Sequence, residues 1–187
     1  MTPLIDLDHR TALVTGGSRG VGRATALLLA RAGARVGIAY RSREEEARKT
    51  LELLGTHGEG HWGFGGDMAR EEVVEGFFSE GVDRWGGIDI LVVNHGIWPP
   101  EDVPLAQMDE ARWRRTLSVN LDSAFYLCRA AARHLRDDGR LVLVSSTAGQ
   151  RGEAFHGDYA ASKGALISLV KGLCVELAPR GITVNCV

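Results

Sequence analysis

The chain has 187 residues, 44% of them hydrophobic and 25% charged, with a formal net charge of −2. That composition suits one globular domain with a real core, and its near-neutral balance leaves no electrostatic footprint for nucleic acid or a membrane surface. No segment approaches the ~20 apolar residues of a membrane span. The acidic start "MTPLIDLDHR" is unlike a signal peptide, and Cys128, Cys174 and Cys186 lack metal-ligand spacing, so a reduced, cytoplasmic protein without a metal site is expected.

In chain order, "RTALVT" (10–15) is a short apolar run that stops at glycines, and it reads as a buried strand. Val21, Ala24, Leu27, Leu28 and Ala32 follow at helical spacing until Gly33. "RVGIAY" (35–40) is the second strand, and Ser42 with Glu45 predicts a capping box for a helix burying Ala47, Leu51 and Leu54. "HWGFGG" is a weaker third strand, and Val73, Val74, Phe77, Phe78, Val82 and Trp85 repeat with a helical period. "IDILVV" (88–93) and "RLVLVS" (140–145) are strands four and five. They flank one long helix through Trp113, Leu117, Leu121, Ala124, Phe125, Cys128 and Ala132. The last helix runs from about Tyr159 to Leu177, stopped by Pro179 and Gly181, and "ITVNCV" is strand six. Strict alternation of helices with continuous apolar strands predicts an α/β fold, a doubly wound parallel Rossmann-like sheet with ligands at the carboxyl ends of its strands.

"TGGSRGVG" (15–22) lies between the first strand and the first helix. Gly16, Gly20 and Gly22 there allow positive φ or a close ligand, and the helix N-terminus favours an anion. The absence of Gly-Lys-Ser/Thr excludes a Walker loop. The acid that would hold ribose hydroxyls at the end of strand two is missing. The sequence there reads "AYRSR", and Glu44, Glu45 and Glu46 fit a helix start better. Arg19 and Arg41 would suit a 2′-phosphate, so NADP(H) is expected over NAD(H), although arginines on a solvated surface are the rival reading.

Only three of the 22 basic side chains are lysine, yet Lys163 stands four residues after Tyr159 in "DYAASKGAL". At i and i+4 of a helix the two share a face. A phenol of reference pKa about 10 is a poor base near neutrality, and an ammonium beside it favours the phenolate. Ala160, Ala161 and Ser162, followed by Gly164 and Ala165, leave room for a cofactor or another helix close by. "VSSTAG" puts Ser145 and Ser146 at the end of strand five, where a hydroxyl could polarise a carbonyl. For Ser145 a simple turn cap is the expectation. Asn120 sits within an apolar helix and, if buried, needs a fixed water or a backbone contact.

These residues resemble the short-chain dehydrogenase/reductase family over essentially the whole chain. The group they look most like is the 3-oxoacyl-carrier-protein reductases. Thr15 to Gly22 is similar to the family's glycine motif. "VNHG" resembles its Asn-Asn-Ala-Gly segment at Asn94 and Gly96 but departs at Val93 and His95. The resemblance implies a catalytic set of Asn120, Ser146, Tyr159 and Lys163. It implies cofactor contacts from Gly16, Ser18, Arg19, Gly20, Val21, Gly22, Tyr40, Arg41, Ser42, Asp67 (against adenine), Met68, Asn94 and Gly96, with Tyr159 and Lys163. Tyr159 would act as acid/base on a small-molecule carbonyl or alcohol while Ser146 orients it. Lys163 would lower the pKa of Tyr159, hold the nicotinamide ribose and pass protons toward a water fixed by Asn120. The apolar final helix and its predecessor would pack on a partner's copies in a homodimer or homotetramer. The sequence ends at "NCV", where the family continues into a substrate-covering segment and a seventh strand, so a chain truncated relative to the family is expected. A noncatalytic NADP(H)-binding sensor or scaffold is the competing reading. A Rossmann-type methyltransferase is a third, against which the Tyr-Lys pair and Ser146 argue.

Overall fold

A computed structural model describes residues 5–187. The first four residues of the acidic N-terminal stretch lie outside the described residues. The strands are β1 (Thr11–Thr15), β2 (Arg35–Tyr40), β3 (Trp62–Gly65), β4 (Ile88–Val93), β5 (Leu135–Leu143) and β6 (Thr183–Cys186). They form one sheet in the order β3-β2-β1-β4-β5-β6 with every pairing parallel. Both faces are covered. Ala12 and Val14 of β1 join Ala26, Ala30, Ile38 and Leu54 on one side, while Leu13 joins Phe77, Phe78, Leu127, Leu141 and Leu166 on the other. That is why the strands read as unbroken apolar runs. The chain order reverses between β1 and β4, which opens a crevice beyond their carboxyl ends.

Three helical expectations need correction. In α1 (Gly20–Arg31) the buried stripe is Gly22, Ala26 and Ala30, whereas Val21 and Leu28 are exposed. Small residues let this helix backbone lie close on the sheet and rotate the larger side chains outward. In α2 (Glu44–Gly55) the N-cap is Arg43 and no side chain caps the helix. The expected Ser42–Glu45 box does not form, because Glu45 pairs with Arg48 and Lys49 along the helix while Ser42 faces the crevice. The long central helix is α4 (Glu110–Leu117) and α5 (Ser123–His134) joined by a π turn, Ser118–Asp122. Phe125, counted with the apolar face, is exposed there. α3 is Glu71–Trp85, the short α6 is Thr147–Arg151, and α7 is Gly157–Leu177. In α7 Leu166, Val170 and Leu177 are buried, but Cys174 and Val175 are exposed, so this helix is not internal.

Candidate active site

The glycine turn after β1 is packed against the chain that leaves β4. Gly16 and Gly20 take φ of +68° and +54°. Gly22 has no room for a side chain, since a Cβ would stand 2.2 Å from the Gly16 carbonyl oxygen and 2.5 Å from Asn94 Nδ2. Asn94 Nδ2 donates to the Thr15 carbonyl at 3.0 Å, and the Asn94 amide donates to Thr15 Oγ1 at 3.0 Å. From the other side, the Ser18 carbonyl accepts from Arg23 Nη2 at 2.6 Å and from Thr50 Oγ1 at 3.1 Å. Arg23 and Thr50 carried no motif and were missed by the sequence reading.

Over this turn lies a cavity of about 490 Å³. Its walls include Gly16, Ser18, Arg19, Gly20, Val21, Tyr40, Arg41, Ser42, Asp67, Met68, Asn94 and Gly96, all anticipated, together with Ala39, Arg43, Gly66, His95, Ile97 and Val119, which were not. Gly22 lies beneath the turn rather than on the wall. The first amides of α1 open toward the cavity with no side-chain cap and no acid in the first turn. Arg41 meets Asp67 at 3.8 Å with both side chains nearly half exposed, a loose pair. Uncapped amides and three arginines at one end, with apolar and amide-bearing residues at the other, make a donor set that fits a phosphorylated dinucleotide.

The far end is built on the π turn. Asn120 is buried, and its Oδ1 accepts from the Ile97 amide at 2.7 Å while Nδ2 donates to the Ile97 carbonyl at 3.0 Å and to Ser162 Oγ at 3.1 Å. The backbone contact expected for a buried amide is thus present. A Cβ at Gly96 would meet Asn120 Oδ1 at 3.1 Å and Lys163 Nζ at 3.4 Å, so the bare glycine separates the cavity from both groups.

Lys163 and Tyr159 share one face of α7, with Nζ 5.9 Å from the centre of the phenol ring. Lys163 is buried and donates to the Val144 carbonyl at 2.8 Å, and burial pushes its amine down to about 8. Tyr159 stands edge-to-face with Trp98 at 4.6 Å, and Trp98 stacks on the buried ring of His156 at 4.0 Å. The room beside Gly164 is taken by helix α6, whose own Gly149 packs so close that a Cβ on it would lie 2.6 Å from the Lys163 carbonyl carbon. Of the two serines, only Ser145 departs from its expected role. Ser145 Oγ is not a cap but donates to the Lys163 carbonyl at 2.7 Å, while Ser146 Oγ caps α6 by accepting from the Ala148 amide at 3.1 Å. Accepting leaves the Ser146 hydroxyl proton free to donate. Buried Asp158, unremarked in sequence, ties the start of α7 to α4 through Arg112 at 3.2 Å and Thr116 at 2.7 Å.

Half-buried His95 stands on the cavity wall between these regions. Its Nδ1 lies 2.8 Å from Thr15 Oγ1 and its Nε2 2.8 Å from Ser123 Oγ. Burial, with the Lys163 charge nearby, pushes its pKa down to about 4, so it is neutral at physiological pH.

A doubly wound parallel sheet with a phosphate-type turn and a crevice at its switch point defines a dinucleotide-binding protein. The short chain dehydrogenase family profile matches residues 10–187, and the chain belongs to that family of oxidoreductases, which act on CH–OH groups with NAD(P). It is 38% identical to the 3-oxoacyl-[acyl-carrier-protein] reductase FabG of Vibrio cholerae, over 98% of this chain and 73% of that one. It is 35% identical to versicolorin reductase of Emericella nidulans, over 97% of this chain and 68% of that one. A crystal structure of a short chain dehydrogenase from Burkholderia cenocepacia in complex with NADP superposes with a TM-score of 0.91 at 39% identity, over 96% of this chain and 73% of that one. Among the described residues no helix is long and apolar enough to cross a membrane.

Proposed function

We propose that this chain interconverts a carbonyl and a secondary alcohol, using NADP(H) and Tyr159 as the acid/base. The observation that carries the reading is the buried Lys163 ammonium beside the Tyr159 ring, behind Gly96 of the cavity wall, in a cavity that also carries Arg19, Arg41 and Arg43. When bound, the cofactor would supply or accept the hydride. Tyr159 donates its phenolic proton to the carbonyl oxygen in reduction and takes it back in oxidation. Lys163 places its positive charge beside the phenol, and Ser146 donates its free hydroxyl proton to the same oxygen. Asn120 holds the Ile97 backbone so that this wall keeps its shape.

The arginine end supports NADP(H) over NAD(H). A loose pair with Asp67 leaves the Arg41 guanidinium able to turn toward a 2′-phosphate. Exposed Phe125 on α5 and Val175 on α7 support a homodimer or homotetramer through these helices, and three unpaired cysteines fit the cytoplasm. Because the 3-oxoacyl-[acyl-carrier-protein] reductase FabG and versicolorin reductase are similar to this chain, 3-oxoacyl-[acyl-carrier-protein] and versicolorin are the first substrates to assay. The test is NADPH oxidation with these carbonyls by the wild type and Tyr159→Phe. Turnover lowered by roughly 10²–10⁴-fold in the variant, with cofactor binding retained, supports the reading. Equal turnover in both proteins rejects Tyr159 as the acid/base.

A further inference from the structure

The π turn leaves a gap in the helical ladder that the rest of the chain fills. The Ser123 amide bonds the Ser118 carbonyl, five residues back, rather than the Val119 carbonyl four residues back. The Ser123 hydroxyl takes the vacated place and donates to the Val119 carbonyl at 2.6 Å. Its single proton is thereby used, so the bond between Ser123 Oγ and His95 Nε2 requires the proton to be on Nε2. At the other nitrogen, Thr15 Oγ1 already accepts from the Asn94 and His95 amides, and its nearest acceptor besides the imidazole, the Val92 carbonyl, is 3.5 Å away. The Thr15 hydroxyl therefore donates to Nδ1 at 2.8 Å. Every donor in the series Thr15–His95–Ser123–Val119 then has one acceptor, with His95 as the neutral Nε2–H tautomer.

This series joins elements that no backbone ladder connects. Thr15 ends β1 and begins the glycine turn, while Ser123 closes the turn that carries Val119, on the cavity wall, and Asn120. We propose that His95 is a positioning residue that sets the spacing between the glycine turn and the π turn, and so the width of the cavity at its Asn94–Ile97 end. The inference rests on that cavity being the dinucleotide site. His95 itself stands on the cavity wall, whereas Ser123 does not, so a loss on Ser123→Ala reports geometry and not a direct contact.

The test compares His95→Ala, Ser123→Ala, the double variant and His95→Gln for NADP⁺ binding by calorimetry and for amide hydrogen exchange across Val119–Ala124. Each lost bond of this kind is worth about 1 kcal/mol, or roughly fivefold. Ser123→Ala, which breaks the bonds to His95 and to Val119, and His95→Ala, which breaks those to Ser123 and to Thr15, are therefore each expected to raise the NADP⁺ Kd about twentyfold. The double variant loses three bonds rather than four, because the His95–Ser123 bond is common to both single variants, so it should bind about fivefold more tightly than additive losses would give. His95→Gln, which can donate and accept, should recover part of the loss. Exchange in the π turn should quicken at least about tenfold while β6 is unchanged. Ser123→Ala deletes one hydroxyl and keeps the test alive should His95→Ala fold poorly. Fully additive losses, or wild-type Kd values in the single variants, would overturn the proposal. If the wild type binds neither NADP⁺ nor NAD⁺, the cofactor reading fails, and exchange alone decides: unchanged protection of the π turn then overturns the role of His95 as well.

Discussion

Replacing Gly22 by alanine separates helix propensity from the demands of the site. Alanine in a helix gains up to ~1 kcal/mol over glycine, so an unobstructed change would stabilise the protein. At Gly22 the new Cβ would stand 2.2 Å from the Gly16 carbonyl oxygen and 2.5 Å from Asn94 Nδ2. Neither atom is the end of a free side chain, because the first is backbone and the second is bonded to the Thr15 carbonyl. Relieving the clash means opening the turn, at about 1–3 kcal/mol of overpacking and ~1 kcal/mol for the displaced Asn94 bond. The clash outweighs the propensity gain, leaving a net loss of about 1–3 kcal/mol, or roughly 3–10 °C in Tm for a chain of this size. The turn that moves is also the phosphate cradle, so the NADP⁺ Kd should rise at least about tenfold. Gly172→Ala, in α7 with nothing within 4 Å of its Cβ, is the matched control and should raise Tm slightly. Thermal melts and calorimetric titration read both effects. A Gly22→Ala protein that melts no lower than the wild type and binds NADP⁺ equally well would refute the packing argument.

Asn120→Ala removes both side-chain partners of the half-buried Ile97 backbone and should lower stability by about 1 kcal/mol in urea melts. Lys163 titrates near 8 when folded against 10.5 for the free side chain, so between these values the unfolded chain binds the extra proton. Its contribution to stability therefore rises as pH climbs from about 8 to about 10.5, by about 3 kcal/mol. Lys163→Met should flatten that part of the pH–stability curve. Arg41→Ala should raise the Kd for NADP⁺ about tenfold and leave that for NAD⁺ within about twofold, as seen by titration with each.

The parallel sheet was legible because its strands are apolar on both faces and alternate with helices. The glycine turn was legible because strand, turn and helix follow one another in sequence. The buried stripe of α1 was misread because hydrophobicity pointed to Val21 and Leu28, whereas close packing selected Gly22, Ala26 and Ala30. Ser42 and Glu45 carried a capping pattern, but Glu45 found stronger partners within its own helix. Ser145 was misread as a turn cap because only the approach of α7 brings the Lys163 carbonyl to it. The π turn left no mark on the apolar spacing beyond Asn120 itself. His95 was visible only as a departure from a motif, since its partners Thr15 and Ser123 lie 80 and 28 residues away in sequence.

The most direct test of the account is calorimetric titration of the purified, folded chain with NADP⁺ and, separately, NAD⁺. Saturable binding of NADP⁺ at one site per chain, tighter than NAD⁺, is the predicted result. Binding of neither dinucleotide would contradict the assignment of the cavity between the glycine turn and Asn120, and with it the role proposed for Tyr159 and Lys163.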